Sequence, residues 1–155
     1  SVLLGWLIAK ATGLDTNYAT YLAGIGAVLG HIFPIFAEFR GGKGVATMAG
    51  AVVGIYPPAI LLCLAVWFVS LMITHYVSFS SMLAGVMYPI FIMISPRTNK
   101  SVPLIVFSMV VAVLLIYTHR KNIKRLQAGE ESKIYVFGNP DEIRKDENKE
   151  ENSEK

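Results

Sequence analysis

The sequence predicts an all-α, polytopic integral membrane bundle, and three observations carry that prediction. Residues 44–96 contain no Asp, Glu, Lys or Arg, whereas residues 120–155 hold 18 of the 25 charged residues. A soluble domain rarely runs so far without a charge, because its helices need a polar face. Apolar runs approaching the length of a membrane span recur between short polar breaks. Basic residues gather in a few of those breaks, the asymmetry expected of membrane loops. Together these predict a membrane domain over residues 1–135 with about five to six membrane segments. Residues 136–155 form a charged tail, too poor in apolar side chains from Asp141 onward to fold, and expected to be disordered.

The segments follow in order. Val2–Ala9 is too short to span and lacks the basic flank of a signal peptide. With Ser1 ahead of it, it is expected to be the remainder of a segment whose beginning is missing. Tyr18–Ala37 and Val102–Thr118 reach the span range of about 17–25 residues. Ala59–Thr74 and Ser80–Ile94 fall a little short and are expected to borrow their polar ends. Val45–Tyr56 is clearly short and stops at Pro57-Pro58. It is either a short crossing beside a site or a re-entrant half-helix. Crossing is preferred, because it brings the polar clusters 38–44, 75–81 and 119–130 to one face. That face then holds Arg40, Lys43, Arg120, Lys121, Lys124 and Arg125, as the positive-inside rule asks of a cytoplasmic side. Pro34 and Pro89 should bend their spans. The Gly26/Gly30 and Gly50/Gly54 spacings permit close helix approach. Cys63, the single cysteine, cannot form an internal disulfide and reads as a small packing residue.

Three clusters carry candidate chemistry. Arg40-Gly41-Gly42-Lys43-Gly44 is a basic glycine turn that opens the segment from Val45. Bare backbone N–H groups, a helix N-terminus and a lysine charge suit a phosphate. The spacing is not that of a nucleotide-binding P-loop, and a plain basic loop would read the same way. His31, placed inside its span, and Glu38 flank this turn. His75-Tyr76-Val77-Ser78-Phe79-Ser80-Ser81 offers an imidazole and hydroxyls, although Ser78 or Ser80 is best read as a helix N-cap. In the third cluster, His119 and Asn122 share a helical face with Ile123 and Leu126, and Glu130 follows. A juxtamembrane basic anchor explains Lys121, Lys124 and Arg125 but not His119, Asn122 and Glu130.

These clusters together resemble the acyl-phosphate:glycerol-3-phosphate acyltransferases of bacteria. GHIFPIFAEFRGGKGVAT at Gly30–Thr47 and HRKNIKRLQAGEE at His119–Glu131 are similar to two signatures of that family, and YVSFSS at Tyr76–Ser81 to its serine-bearing loop. The resemblance runs from Ser1 to about Tyr135. It implies a seven-helix integral protein of the bacterial cytoplasmic membrane, with its active site facing the cytoplasm. It implies acyl transfer from acyl-phosphate to glycerol 3-phosphate, giving lysophosphatidic acid and phosphate for phospholipid synthesis. No metal, acyl-CoA, acyl-carrier protein or other cofactor is implied. The implied partners are the two substrates and membrane lipids, with no nucleic acid and no obligate protein partner. By the resemblance, Arg40, Gly41, Gly42, Lys43 and Gly44 bind phosphate, Ser78 or Ser81 contacts a phosphate, and His119, Asn122 and Glu130 complete the site. The family's first signature, an Asp-Ile-Arg with a glycine- and asparagine-rich turn, has no match here, so this chain alone is expected to show little or no acyltransferase activity.

An acyl-phosphate is already activated, so the lack of a nucleophile triad is no objection. Either His119 or a phosphate oxygen of the substrate could take the hydroxyl proton. The alternatives are a transporter fragment and a structural subunit with a basic loop. A transporter should carry polar or charged residues near mid-membrane, and residues 44–96 offer no charged one, with His75 only at a segment end.

Overall fold

The computed structural model describes residues 2–13, 15–33, 42–98 and 101–135. Arg40, Gly41, Glu38, Pro34 and the tail 136–155 lie outside them. Each apolar segment is a helix: α1 (Val2–Thr12), α2 (Thr16–Ile32), α3 (Val45–Ile55), α4 (Pro57–Thr74), α5 (Val77–Ile94) and α6 (Val102–Thr118). A short seventh helix, α7 (Arg120–Gln127), leaves α6 at 56°.

Local chemistry explains the boundaries. Asp15 caps α2, its carboxylate accepting from the backbone N–H of Asn17 at 2.8 Å. Pro57 and Pro58 both stop α3 and open α4, where their missing N–H groups cost nothing. Pro89 lies inside α5 without ending it. The serines expected as a cap are not one: α5 begins after an extended Tyr76 with no side-chain cap, and Ser78, Ser80 and Ser81 lie buried in its first turns. Ser80 satisfies its hydroxyl locally, donating to the Tyr76 carbonyl at 2.9 Å.

The outer surface is that of a protein in lipid. Leu61, Ile73, Ile94 and Val102 are each about 70% exposed, and α4 is apolar all round, as membrane helices are. Among the described residues, α4 and α5 are long and apolar enough to cross a membrane by themselves, and α6 joined to α7 makes a bent third candidate. α1 and α3, at 11 residues each, are shorter apolar helices. Length does not make α3 a half-turn, however. Tyr56, just past α3, bonds Ser95, just past α5, through their hydroxyls at 2.7 Å. Lys43, ahead of α3, accepts at its carbonyl from Thr118 at the end of α6. The helix therefore runs from one end of the bundle to the other, the crossing arrangement rather than the re-entrant one.

The core is built chiefly from α2, α3, α5 and α6, with Val28, Met48, Tyr88 and Phe107 all under 4% exposed, and α4 joins it through Ala59. The glycine spacings do not seal it as expected. Gly26, Gly30 and Gly50 face open space, and of those four only Gly54 is packed, with Val2 in the volume a Cβ would occupy. Close approach falls at Gly5 against α2 and at Gly85, where a Cβ would meet the Leu115 side chain.

Candidate functional site

The parity of crossings puts the N-terminus of α3, the turn between α4 and α5, and the α6–α7 elbow at one end of the bundle. They enclose a cavity of about 590 Å³. Lys43, Ser78, His119, Asn122, Arg125 and Glu131 stand at its mouth, and Val52, Ile60, Cys63, Tyr88 and Val111 line its inner end.

The glycine turn enters α3 through Gly44, whose φ of 72° is left-handed and open to glycine at little cost. No side chain caps α3, so its first N–H groups remain available to an anion. The Thr118 hydroxyl donates to the Lys43 carbonyl at 3.1 Å and ties this turn to the residue beside His119. The Lys43 side chain is exposed. Gly42 lies against His31, whose Nε2 would sit 2.8 Å from an added Cβ. His31 itself is exposed at the last turn of α2 rather than buried within the bundle.

His119 is 1% exposed and occupies the elbow. Its Nδ1 lies 2.8 Å from the Leu115 carbonyl. A carbonyl can only accept, so Nδ1 carries the proton and Nε2 is left as an acceptor. Burial depresses the imidazole pKa below its usual value; the Leu115 bond opposes this, the Lys43 charge adds to it, and the Glu131 charge opposes it weakly. The ring is therefore neutral near pH 7 and able to accept a proton.

Asn122, one turn on and 3% exposed, donates through Nδ2 to Glu131 Oε1 at 2.6 Å. That bond turns the amide oxygen away from the carboxylate. Arg125 Nε holds Glu131 Oε2 at 2.7 Å. Burial alone would raise the Glu131 pKa. The neighbouring Ser78 hydroxyl, the bonds from Arg125 and Asn122, and the Arg125 charge outweigh it and hold the group at about 2. Ser78 is buried, lines the cavity and makes no hydrogen bond of ordinary geometry among the described residues. Ser81 lines it too, donating to the Val77 carbonyl at 2.8 Å and accepting from the Trp67 indole at 3.2 Å.

The structure thus brings together Lys43, Ser78, Ser81, His119 and Asn122, with Gly44 at the same helix start. It does not bring Glu130. That side chain is exposed, and its backbone N–H donates to the Arg125 carbonyl at 2.8 Å while Gly129 N–H donates to Leu126 at 3.2 Å. This pair of bonds is a Schellman cap, with Gly129 in the left-handed conformation at φ 70°. The chain reverses there, and Glu131 is the carboxylate that turns back toward Asn122. Arg125, expected as a membrane-surface anchor, instead lines the cavity and holds Glu131, and the strap 131–135 has no counterpart in the sequence reading. Ser132 and Ile134 line the cavity, Ile134 N–H donates to the His75 carbonyl at 2.8 Å, and Tyr135 packs on the His75 ring. A His75 φ of 60° aims that carbonyl at the strap. The signal was the glycine: a helix ending in Ala-Gly predicts a reversal at that point.

Among the described residues the arrangement offers a helix start open to an anion, the exposed cation of Lys43, a neutral imidazole, an oriented amide and a buried serine hydroxyl beside Glu131, all at the entrance of an apolar cavity. Comparison with known proteins agrees. The family model described as glycerol-3-phosphate acyltransferase matches residues 1–129. The chain is similar to the glycerol-3-phosphate acyltransferase of Chlorobium chlorochromatii (strain CaD3), with 39% identity over 135 residues, 73% of this chain and 58% of that protein. It is 45% identical to the Staphylococcus carnosus (strain TM300) enzyme over 113 residues, covering 73% of this chain and 54% of that protein. Its fold is similar to crystal structures of PlsY (YgiH), an integral membrane glycerol 3-phosphate acyltransferase. For the glycerol 3-phosphate form the TM-score is 0.74 at 32% identity, over 85% of this chain and 64% of that one. For the lysophosphatidic acid form it is 0.73, over 87% and 69%. The chain spans a little over half the length of the curated relatives it matches. On the match over residues 1–129 and these identities, the chain belongs to the glycerol-3-phosphate acyltransferase family.

Proposed function

We propose that the chain carries the site at which a membrane acyltransferase moves a fatty acyl group from acyl-phosphate to glycerol 3-phosphate, at the cytoplasmic face of a bacterial inner membrane. The observation that carries this reading is the joining of an anion-binding polar mouth to an apolar cavity of about 590 Å³. A phosphorylated headgroup and an acyl chain need that pairing. Membership of the family supports the reaction, and PlsY structures in glycerol 3-phosphate and lysophosphatidic acid forms support the two ligands.

The chemistry asks for positioning, charge neutralisation and removal of one proton. The substrate hydroxyl oxygen attacks the acyl carbonyl carbon, the bond from that carbon to the phosphate oxygen breaks, and inorganic phosphate leaves. Lys43 and the start of α3 neutralise phosphate, and Arg40, Gly41 and Gly42, which precede them in sequence, are proposed to add to that role. Ser78, or Ser81 on release from the Val77 carbonyl, offers a hydroxyl to a phosphate oxygen. His119 and Asn122 hold the glycerol phosphate, and the proton departs to a phosphate oxygen of the substrate. Glu131 takes the place in this scheme that the sequence suggested for Glu130, holding Asn122 in register. The basic loops on this face, with Lys43, Lys121, Lys124 and Arg125, support its cytoplasmic orientation.

The test is product formation in liposomes by this chain fused to the first-signature segment of a relative, the form in which wild-type and variant activities are compared. Lysophosphatidic acid is expected from acyl-phosphate plus glycerol 3-phosphate and not from acyl-CoA plus glycerol 3-phosphate. Absence of product with acyl-phosphate, from protein verified as folded, would remove this reading and favour a non-enzymatic membrane protein.

A further inference from the structure

The inner end of the cavity is more specific than an apolar lining requires. Along α5 the lining residues Ser78, Ser81, Ala84, Gly85 and Tyr88 form one stripe from mouth to floor. Ten residues of helix separate Ser78 from Tyr88, a depth of about 15 Å. At that depth Val52 from α3, Val111 from α6 and Tyr88 are 5%, 4% and 1% exposed, so the cavity ends in packed protein rather than in lipid. The Tyr88 ring stands edge-on against Phe107, centroids 6.5 Å apart, and Phe107 is itself 1% exposed and stacked on Tyr21. A ring braced in this way cannot swing aside. Higher up, the wall is looser, because Leu64 lines the cavity while 52% exposed.

We propose that Tyr88 is the stop that limits the length of the acyl chain accepted at this site. The proposal rests on the acyl-transfer reading above. A chain entering from the mouth and running down the stripe meets an aromatic ring with close-packed backing, and a chain too long for the space must buckle or force the core apart. Extended chain advances about 1.2 Å per bond, so a change of one helical turn in floor height, about 5.4 Å, corresponds to about four methylenes. Most of the hydrophobic gain is already present for a chain dissolved in lipid. Discrimination therefore comes from steric fit, where a single methylene is worth about tenfold or more.

The test is a series of saturated acyl-phosphates of increasing length, compared by kcat/KM in liposomes. The wild-type protein is expected to show a sharp fall beyond one length. Tyr88→Ala lowers the floor, and donors about four methylenes longer are expected to gain at least tenfold relative to the wild-type optimum. Ala84→Leu fills the cavity one turn above Tyr88 and is expected to move the cut-off the other way, so the proposal survives if Tyr88→Ala fails to fold. Tyr88→Phe, which keeps the ring, is expected to keep the wild-type length profile. A flat wild-type profile, or a cut-off that stays put in a folded Tyr88→Ala or Ala84→Leu protein, would overturn the proposal; the chain would then leave sideways past Leu64. No turnover by wild-type protein with any donor length would instead overturn the acyl-transfer reading beneath it.

Discussion

Glu131→Gln, set beside Glu130→Gln, separates two adjacent carboxylates that the sequence presents as equals. The Glu131 carboxylate accepts from Asn122 at 2.6 Å and from Arg125 at 2.7 Å, and its pKa of about 2 keeps it charged throughout the working range. A glutamine keeps an oxygen for one donor but loses the charge assistance, and it presents an N–H₂ where an acceptor stood. Hydrogen bonds to charged groups contribute about 1.5–3 kcal/mol and neutral ones about 1. The Arg125 side chain is 49% exposed, so its share is screened and discounted. The buried Asn122 bond dominates, and its weakening costs about 1–2 kcal/mol, roughly a five- to thirtyfold loss in kcat/KM for glycerol 3-phosphate. Glu130 is exposed and contributes only its backbone to the helix cap, so Glu130→Gln is expected to stay within about 0.5 kcal/mol of wild type. The assay is initial rate against glycerol 3-phosphate at saturating acyl-phosphate, with thermal melting to confirm folding. Equal losses at both positions, or a larger loss at Glu130, would refute the reasoning.

Three other outcomes follow from the geometry. Lys43→Ala is expected to lower kcat/KM about ten- to hundredfold by removing a charge-assisted phosphate contact, while Lys121→Ala on exposed α7 changes it less than about threefold; equal modest losses would mean a plain basic anchor. Gly44→Ala forces a Cβ into a left-handed position, 3.3 Å from Ile32 Cγ1, and is expected to cost about 1–2 kcal/mol of stability, read as a lower melting temperature. His119 titrates below the ordinary imidazole value of 6.5, so its neutral form contributes stability fully above about pH 6.5, and that contribution is lost as pH falls through the folded pKa; kcat/KM is expected to hold flat down to pH 6.5, and an acid limb centred above it would contradict the burial argument.

Much of the fold was legible because a membrane imposes simple rules. A run of 53 uncharged residues has few alternatives to apolar helices, and the parity of crossings then sent Lys43, Ser78 and His119 to one end. What escaped depended on local backbone geometry that spacing does not encode. Helical periodicity carries Asn122 correctly but sets Arg125 apart as a basic anchor, and it ends at Ala128; past it a left-handed Gly129 decides which of Glu130 and Glu131 returns to the helix. Ser78 looked like a cap because caps favour serine, yet an extended Tyr76 starts α5 and leaves that hydroxyl inside the first turn. The glycine pairs failed for a related reason. Spacing says that two glycines share a face, not that a neighbour meets it, and the close contacts fell at Gly5, Gly54 and Gly85.

The central claim is that the α6–α7 elbow, through His119, forms one site with the glycine–lysine turn. The direct measurement is lysophosphatidic acid formation by His119→Ala in liposomes, with folding verified by melting and with Lys43→Ala and the double variant alongside. The expected result is a loss of at least about a hundredfold for His119→Ala, with the double variant little worse than the more damaged single one, because both act on one bound substrate. Wild-type rate and affinity in folded His119→Ala would contradict the account.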